Sequence, residues 1–195
     1  MGRDGESTRY QENRAKGRGR VHVCVRAKPV GSVCLSDKVG RIEWWIMSIP
    51  TIEQTIAFIK SAHEGQVDKG GTEYWKHPVS VMNRLGPDAS EECKLVALLH
   101  DVIEDTKYTA ADLVRLGYPE TVVASVKRLS KPDGVAYLDC IKAIVESGDR
   151  MAMAVKRADN QDNLDPERLA KLPPEKRAGD DKYRRSVEML TAALD

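Results

Sequence analysis

One phenylalanine, Phe58, with three tryptophans and six tyrosines, makes up the whole aromatic complement of 195 residues. So sparse a set provides few platforms on which bases could stack. Charge of one sign is also missing: 31 Lys and Arg face 30 Asp and Glu, a net charge of +1. Neither feature supports bulk nucleic-acid binding. The four cysteines, Cys24, Cys34, Cys93 and Cys140, form no C-x-x-C pair. Cys93 and Cys140 fall in helical apolar patterns and read as small core residues. No apolar run approaches the roughly 20 residues that span a bilayer, and the N-terminus lacks the apolar stretch of a secretory signal. These absences predict a reduced, cytoplasmic protein with no membrane partner, built as one domain or as one domain with an appendage. The sequence carries no signal for oligomeric state.

What is present is unevenly distributed. Residues 1–46 hold ten Lys and Arg against five Asp and Glu, about +5, and the remainder is about −4. This first segment is rich in Gly and Arg and has no helical period, although Val21–Val25 could form a short strand. It reads as a basic, flexible leader outside the native domain, either an arm for an acidic partner or a disordered stretch. A third reading starts translation at Met47. The domain is then expected at 47–195.

From Ile52 the pattern turns helical, with Ile52, Ile56, Ile59 and His63 at 3.6-residue spacing. Pro78 fits the first turn of a second helix. Ser90 with Glu91 and Glu92 opens a third, expected over Cys93–Ile103. Thr109 and Asp112 resemble a capping box ahead of a short helix ending at Gly117. Further helices are expected from Pro119 to Leu129, Val135 to Val145, Arg150 to Leu164 and Tyr183 to Leu194. No strand alternates convincingly after residue 47. The fold class predicted is all-α, a compact bundle of seven to nine helices.

Inside the third helical run stands Leu98-Leu99-His100-Asp101-Val102-Ile103-Glu104-Asp105-Thr106. A histidine and three carboxylates thus interrupt an apolar stretch. Buried charge is costly unless it is paired or bound to metal, so the segment predicts a divalent-metal site with acid/base groups beside it. On a continuous helix His100 and Glu104 share one face and Asp101 and Asp105 another. Neighbouring His and Asp can still lean towards a common ion. A mixed nitrogen and oxygen set suits Mn²⁺, Fe²⁺ or Zn²⁺ better than Ca²⁺.

Two ligands are too few. His77, before Pro78 at a helix entry, is the best further candidate, although a helix-entry histidine also serves as a structural hydrogen-bonding group. Asp159 ends the apolar run of Met151–Ala158, with Asn163 four residues on and on the same side; the bland alternative is a polar C-terminal turn. Two His and two Asp would leave room for water or substrate and lower the pKa of a bound water. Glu104 and Asp105 could then orient or deprotonate that water and handle the leaving group's proton. A solvated helix end is a poor alternative for them, because two acids there oppose the helix dipole.

Ala62-His63-Glu64-Gly65-Gln66, Tyr74-x-x-His77-Pro78, the string Ala97–Thr106 and Val155-Lys156-x-Ala158-Asp159-x-x-x-Asn163 resemble the HD-domain hydrolases of the RelA/SpoT type. That resemblance covers about residues 52–195. It implies a small, stand-alone hydrolase removing the 3′-pyrophosphate of the guanosine alarmones ppGpp and pppGpp. It implies His77, His100, Asp101 and Asp159 as ligands of one Mn²⁺, and Glu104 and Asp105 as the catalytic acids. It also implies Lys69 and Asn163 on the nucleotide substrate, with Lys156 a further phosphate-side cation. His63 matches a family position and reads as structural or pocket-lining. Two positions depart from the family. Asp68 stands where an arginine usually packs on guanine, and Asn160 where a basic residue usually follows the aspartate. They motivate a second reading, hydrolysis of another nucleotide or of a pyrophosphorylated RNA end in an antitoxin-like role. A non-catalytic HD binding module is the third.

Overall fold

The computed structural model describes residues 33–36, 42–45, 48–172 and 180–195. The strand suggested at Val21–Val25 lies outside them. Within the segment read as a leader, β1 (Val33–Ser36) pairs antiparallel with β2 (Ile42–Trp45), Val33 opposite Trp45 and Ser36 opposite Ile42. Val33 in β1 and Ile42, Trp44 and Trp45 in β2 are residues that favour strands. The sequence reading did not find this pairing.

After residue 47 the described chain is helical, as expected. The elements are α1 (Ile52–Ala62), α2 (Lys76–Arg84), α3 (Glu91–Leu99), α4 (Val102–Asp105), α5 (Ala110–Arg115), α6 (Glu120–Leu129), α7 (Tyr137–Glu146), α8 (Arg150–Asn163), α9 (Pro166–Ala170) and α10 (Asp180–Leu194). Local chemistry sets the boundaries. Thr51 and Gln54 form a capping box at α1, and Thr109 with Asp112 forms the anticipated one at α5. The Ser90 side chain accepts from Cys93 N–H at α3, and Asp149 accepts from Ala152 N–H at α8.

Two departures from the expected pattern matter. The single helix predicted over Cys93–Ile103 is divided into α3 and α4, with His100 and Asp101 between them. The cause is local: His100 Nδ1–H donates to the Ala97 carbonyl at 2.7 Å, so the ring occupies an acceptor that a continuing helix would use. The second departure is α9, absent from the sequence reading. Asp165 caps it through the N–H groups of Glu167 and Arg168, and Pro166 takes its first turn.

α3 and α8 form the centre. α3 packs against α1, α2, α6 and α8, and α8 packs against α2, α6, α7, α9 and α10 as well. Leu95, Val96, Ala97, Leu98 and Leu99 are all buried, so α3 is covered on every side, as a helix apolar all round must be. α8 differs along its length. Its first half buries Ala152, Met153 and Val155, and its second half buries Asp159, Asn160 and Asp162. The polar half is what the site is built on. Leu98→Ala should cost about 2–5 kcal/mol of unfolding free energy, read by chemical denaturation, because a fully enclosed position leaves a cavity that cannot collapse.

Candidate metal centre

Three elements converge at the C-terminal end of α3. His77 comes from the first turn of α2, His100 and Asp101 from the α3–α4 break, and Asp159 from α8. One ligand atom from each of His77, His100 and Asp159 lies within 4.8 Å of the other two, and all three residues are buried. His77 Nε2 stands 3.2 Å from Asp159 Oδ1, and His100 Nε2 stands 4.0 Å from the same oxygen. Asp101 is adjacent, its Oδ2 at 2.9 Å from His100 Nε2 and 3.9 Å from His77 Nε2. The four residues singled out in the sequence are therefore brought together.

The donor set fits a divalent cation. His100 commits Nδ1–H to a backbone carbonyl, which turns Nε2 towards the carboxylates. That nitrogen is buried and has no hydrogen-bond partner among the described residues. Unpartnered buried nitrogens are costly, and an ion ligated by imidazole and carboxylate would satisfy this one. Two carboxylates beside two imidazoles would balance a divalent charge.

Electrostatics agree. Burial disfavours ionisation of Asp159, but the Lys156 ammonium and the His77 and His100 rings outweigh it and hold its carboxyl well below the usual range. Lys156 Nζ lies 2.9 Å from Asp159 Oδ2. Its own burial opposes the charge, and Asp159 with the other anions nearby raises its pKa nonetheless. Burial also works against protonation of His77, yet Asp159, Asp162 and Asp101 raise it to about 9. An ion would take the place of the proton on Nε2.

Beyond the centre opens a cavity of about 330 Å³. Its lining includes the polar Tyr74, Asp101, Glu104, Asp105 and Asn163 and the apolar Leu129, Cys140 and Ile144. Four cations line it, Lys69, Lys131, Lys156 and Arg168. Cavities of this size with convergent polar groups are where small molecules bind.

The acidic pair is divided in its surroundings. Partial burial and the Asp101 charge push the Asp105 carboxyl up, so it takes a proton more readily than an ordinary aspartate. Its Oδ2 is 3.1 Å from the Tyr74 hydroxyl, which lies 2.7 Å from Asp101 Oδ2. Glu104 Oε2 accepts from Lys131 N–H at 2.9 Å and so also anchors the turn after α6.

The remaining sequence candidates fall as follows. Lys69 is exposed at the cavity. The Asn163 amide donates to Asp159 Oδ1 at 2.7 Å, so it orients that carboxylate as well as lining the cavity. His63 is buried outside the triad, with Nδ1 paired to Gln66 Oε1 at 2.8 Å. Asp68 organises its own loop, where Oδ1 accepts the N–H groups of Gly70 and Thr72, each at 2.9 Å. Gly71, at φ 81°, closes that loop in a conformation other residues resist.

Asn160, standing where a basic residue is usual, has a packing role. It is fully buried, accepts from the Tyr137 hydroxyl at 2.5 Å and donates to Ser186 Oγ at 2.6 Å. The side chain thus joins α7, α8 and α10 and does not line the cavity. A phosphate contact is not what this position supplies in the present fold.

Three further residues border the site: Asp162 and Arg168, which the sequence reading passed over, and Tyr74, which it held only as part of the Tyr74-x-x-His77-Pro78 motif. Tyr74 bridges the two aspartates described above. Asp162 Oδ2 accepts from His77 Nδ1 at 2.8 Å, and its pKa lies well below the usual range because the His77, Ser80 and Arg84 bonds outweigh burial. Arg168 donates to Asp162 Oδ2 at 2.6 Å and approaches Asp68 Oδ2 to 3.9 Å.

The helical bundle with buried His and Asp side chains at its centre agrees with the resemblance seen in the sequence, and the chain is similar to SpoT-type proteins. It is 34% identical over 139 residues to the bifunctional (p)ppGpp synthase/hydrolase SpoT of Escherichia coli strain K12, a match covering 66% of this chain and 19% of that one. A guanosine-3′,5′-bis(diphosphate) 3′-pyrophosphohydrolase of Haemophilus influenzae is 34% identical over 128 residues, covering 60% and 18%. The chain thus spans about a fifth of the length of these curated relatives. In fold it is similar to a metazoan ortholog of SpoT, described as hydrolysing ppGpp, at a TM-score of 0.55 and 22% identity over 73% of this chain and 84% of that one. No protein-family model matches the chain. Among the described residues no helix is long and apolar enough to cross a membrane.

Proposed function

We propose that residues 47–195 form a metal-dependent phosphohydrolase domain that removes the 3′-pyrophosphate of ppGpp and pppGpp, giving GDP or GTP and pyrophosphate. The observation that carries this reading is the buried group of His77, His100 and Asp159 opening on a cavity lined by four cations. The relatives' names supply the substrate class.

His77, His100, Asp101 and Asp159 would hold one divalent ion. Mn²⁺ is the ion the resemblance favours, and the nitrogen and oxygen donors also accommodate Fe²⁺ or Zn²⁺. When bound, the ion would supply Lewis acidity that activates water and polarises the phosphoryl oxygens. The protein's own groups do the rest. Water adds to the phosphorus attached to the 3′ oxygen, and the bond between them breaks. Asp105 and Glu104 take up the water's proton and return one to the departing 3′ oxygen. Asp105 suits the proton-carrying role because its carboxyl is pushed up. Lys69, Lys131 and Lys156 face the phosphate charge. Asn163 contacts the sugar through the amide oxygen it does not use on Asp159.

Reversal of charge at Asp68 does not strip the loop side of guanidinium, because Arg168 lines the cavity beside it. This favours retention of a nucleotide substrate over the RNA-end alternative. Such a substrate places the protein in the cytoplasm, where Cys93 and Cys140, free in the structure, stay reduced.

The test is product-resolved hydrolysis. Purified full chain with Mn²⁺ and ppGpp should release pyrophosphate and GDP, with slower turnover of other nucleotides in the same panel. Absence of pyrophosphate release from protein shown to carry the ion would overturn the reading.

A further inference from the structure

We propose that Asp162 is a positioning residue that fixes the ring of His77 so that Nε2 faces the ion. The proposal rests on the metal reading above. His77 Nδ1 and Asp162 Oδ2 are 2.8 Å apart, and both residues are buried. An imidazole that donates through one nitrogen presents the other as its ligand, and an outer carboxylate fixes both tautomer and orientation. His100 reaches the same end by donating to the Ala97 carbonyl. Among the described residues His77 has no such carbonyl bond, and it uses a side chain 85 residues away.

The carboxylate is itself held from both sides. Oδ1 takes Ser80 Oγ–H at 2.5 Å and Arg84 Nε–H at 2.9 Å, while Oδ2 takes Arg168 Nη1–H at 2.6 Å beside His77. With four donors on two oxygens the group cannot rotate, so it transmits the register of α8 and α9 to a ring on α2. Arg168 Nη1 also lies 2.5 Å from His77 Nδ1. One nitrogen cannot donate to Asp162 and accept from Arg168. With Arg168 already satisfied by Asp162 Oδ2, the proton belongs on Nδ1.

Full-length chain labelled with ¹⁵N-histidine separates this role from simple bracing. The probes are the Nδ1–H resonance of His77, assigned by its loss in H77Q, and Mn²⁺ affinity by calorimetry. Wild type should show a hydrogen-bonded, downfield Nδ1–H in the metal-free protein and with diamagnetic Zn²⁺ in place of paramagnetic Mn²⁺. Asp162→Ala should lose that resonance and bind Mn²⁺ about 10–100-fold more weakly. Arg84→Met removes another tie to the same carboxylate; it should lower stability yet leave the resonance in place and the affinity within about twofold. Absence of the resonance in wild type, or its survival in Asp162→Ala, overturns the proposal. So does an affinity loss in Arg84→Met equal to that of Asp162→Ala. The wild-type spectrum and Arg84→Met keep the test open should Asp162→Ala fail to fold. If wild type binds no Mn²⁺ but shows the resonance, the metal reading falls while the His77–Asp162 pair stands.

Discussion

Replacing Asp159 with asparagine should abolish measurable Mn²⁺ binding and hydrolysis and destabilise the metal-free protein by about 3–5 kcal/mol. The two losses have different origins. Binding fails because Asp159 supplies the carboxylate oxygen that stands 3.2 Å from His77 Nε2 and 4.0 Å from His100 Nε2. Stability falls because Lys156, partly buried beside Asp159, is left as an ammonium without its carboxylate. The double variant Lys156→Met/Asp159→Asn distinguishes them. Removing both charges should recover most of the stability in chemical denaturation, since a buried pair can be exchanged for apolar packing at little cost. Hydrolysis and Mn²⁺ binding should stay absent. Recovery of either in the double variant would show that Asp159 acts only as the partner of Lys156.

Asp105→Asn should lower kcat by about 10²–10⁴-fold while leaving Mn²⁺ affinity within a few-fold. Asp105 does not belong to the His77, His100 and Asp159 group, so its removal spares the ligand set. Its carboxyl is raised by burial and by the charge of Asp101, so it holds a proton more readily than an ordinary aspartate. Tyr74 should remain bonded to Asp101 in the variant, so the loop before α2 keeps its place. The expected signature is a fall in kcat with KM little changed, together with loss of one limb of the pH profile. A parallel rise in KM and fall in metal affinity would recast Asp105 as a ligand or a structural brace.

The string from His100 to Thr106 was legible because its residues violate a local rule. Carboxylates do not belong among Leu98, Leu99, Val102 and Ile103 unless something pairs with them. His77 and Asp159 were found by the same logic of polar groups at the ends of patterned segments. Asp162, Tyr74 and Arg168 violate nothing locally. Asp162 and Tyr74 meet partners 85 and 27 residues away, and Arg168 approaches Asp68 from another element; spacing along one helix does not contain that information. Asn160 shows the converse: the sequence marks it only by the basic residue it replaces, while its amide closes a junction of three helices that no local pattern reveals. α9 was legible in principle, since Asp165-Pro166 is a cap followed by a first-turn proline. The α3–α4 break was not, because its cause is the ring of His100 taking a carbonyl from its own helix.

That break has a consequence for how the segment can change. Each residue in a helix turns the chain by about 100°. One residue gained or lost between Leu99 and Val102 would swing Glu104 and Asp105 to another side, while α3 and His100 stayed where the core holds them. Substitutions here trade one side chain for another, but insertions and deletions change which groups meet at all. The distance between ligand and acid is therefore written as a count of residues, and evolution can revise the letters of this segment far more easily than its length.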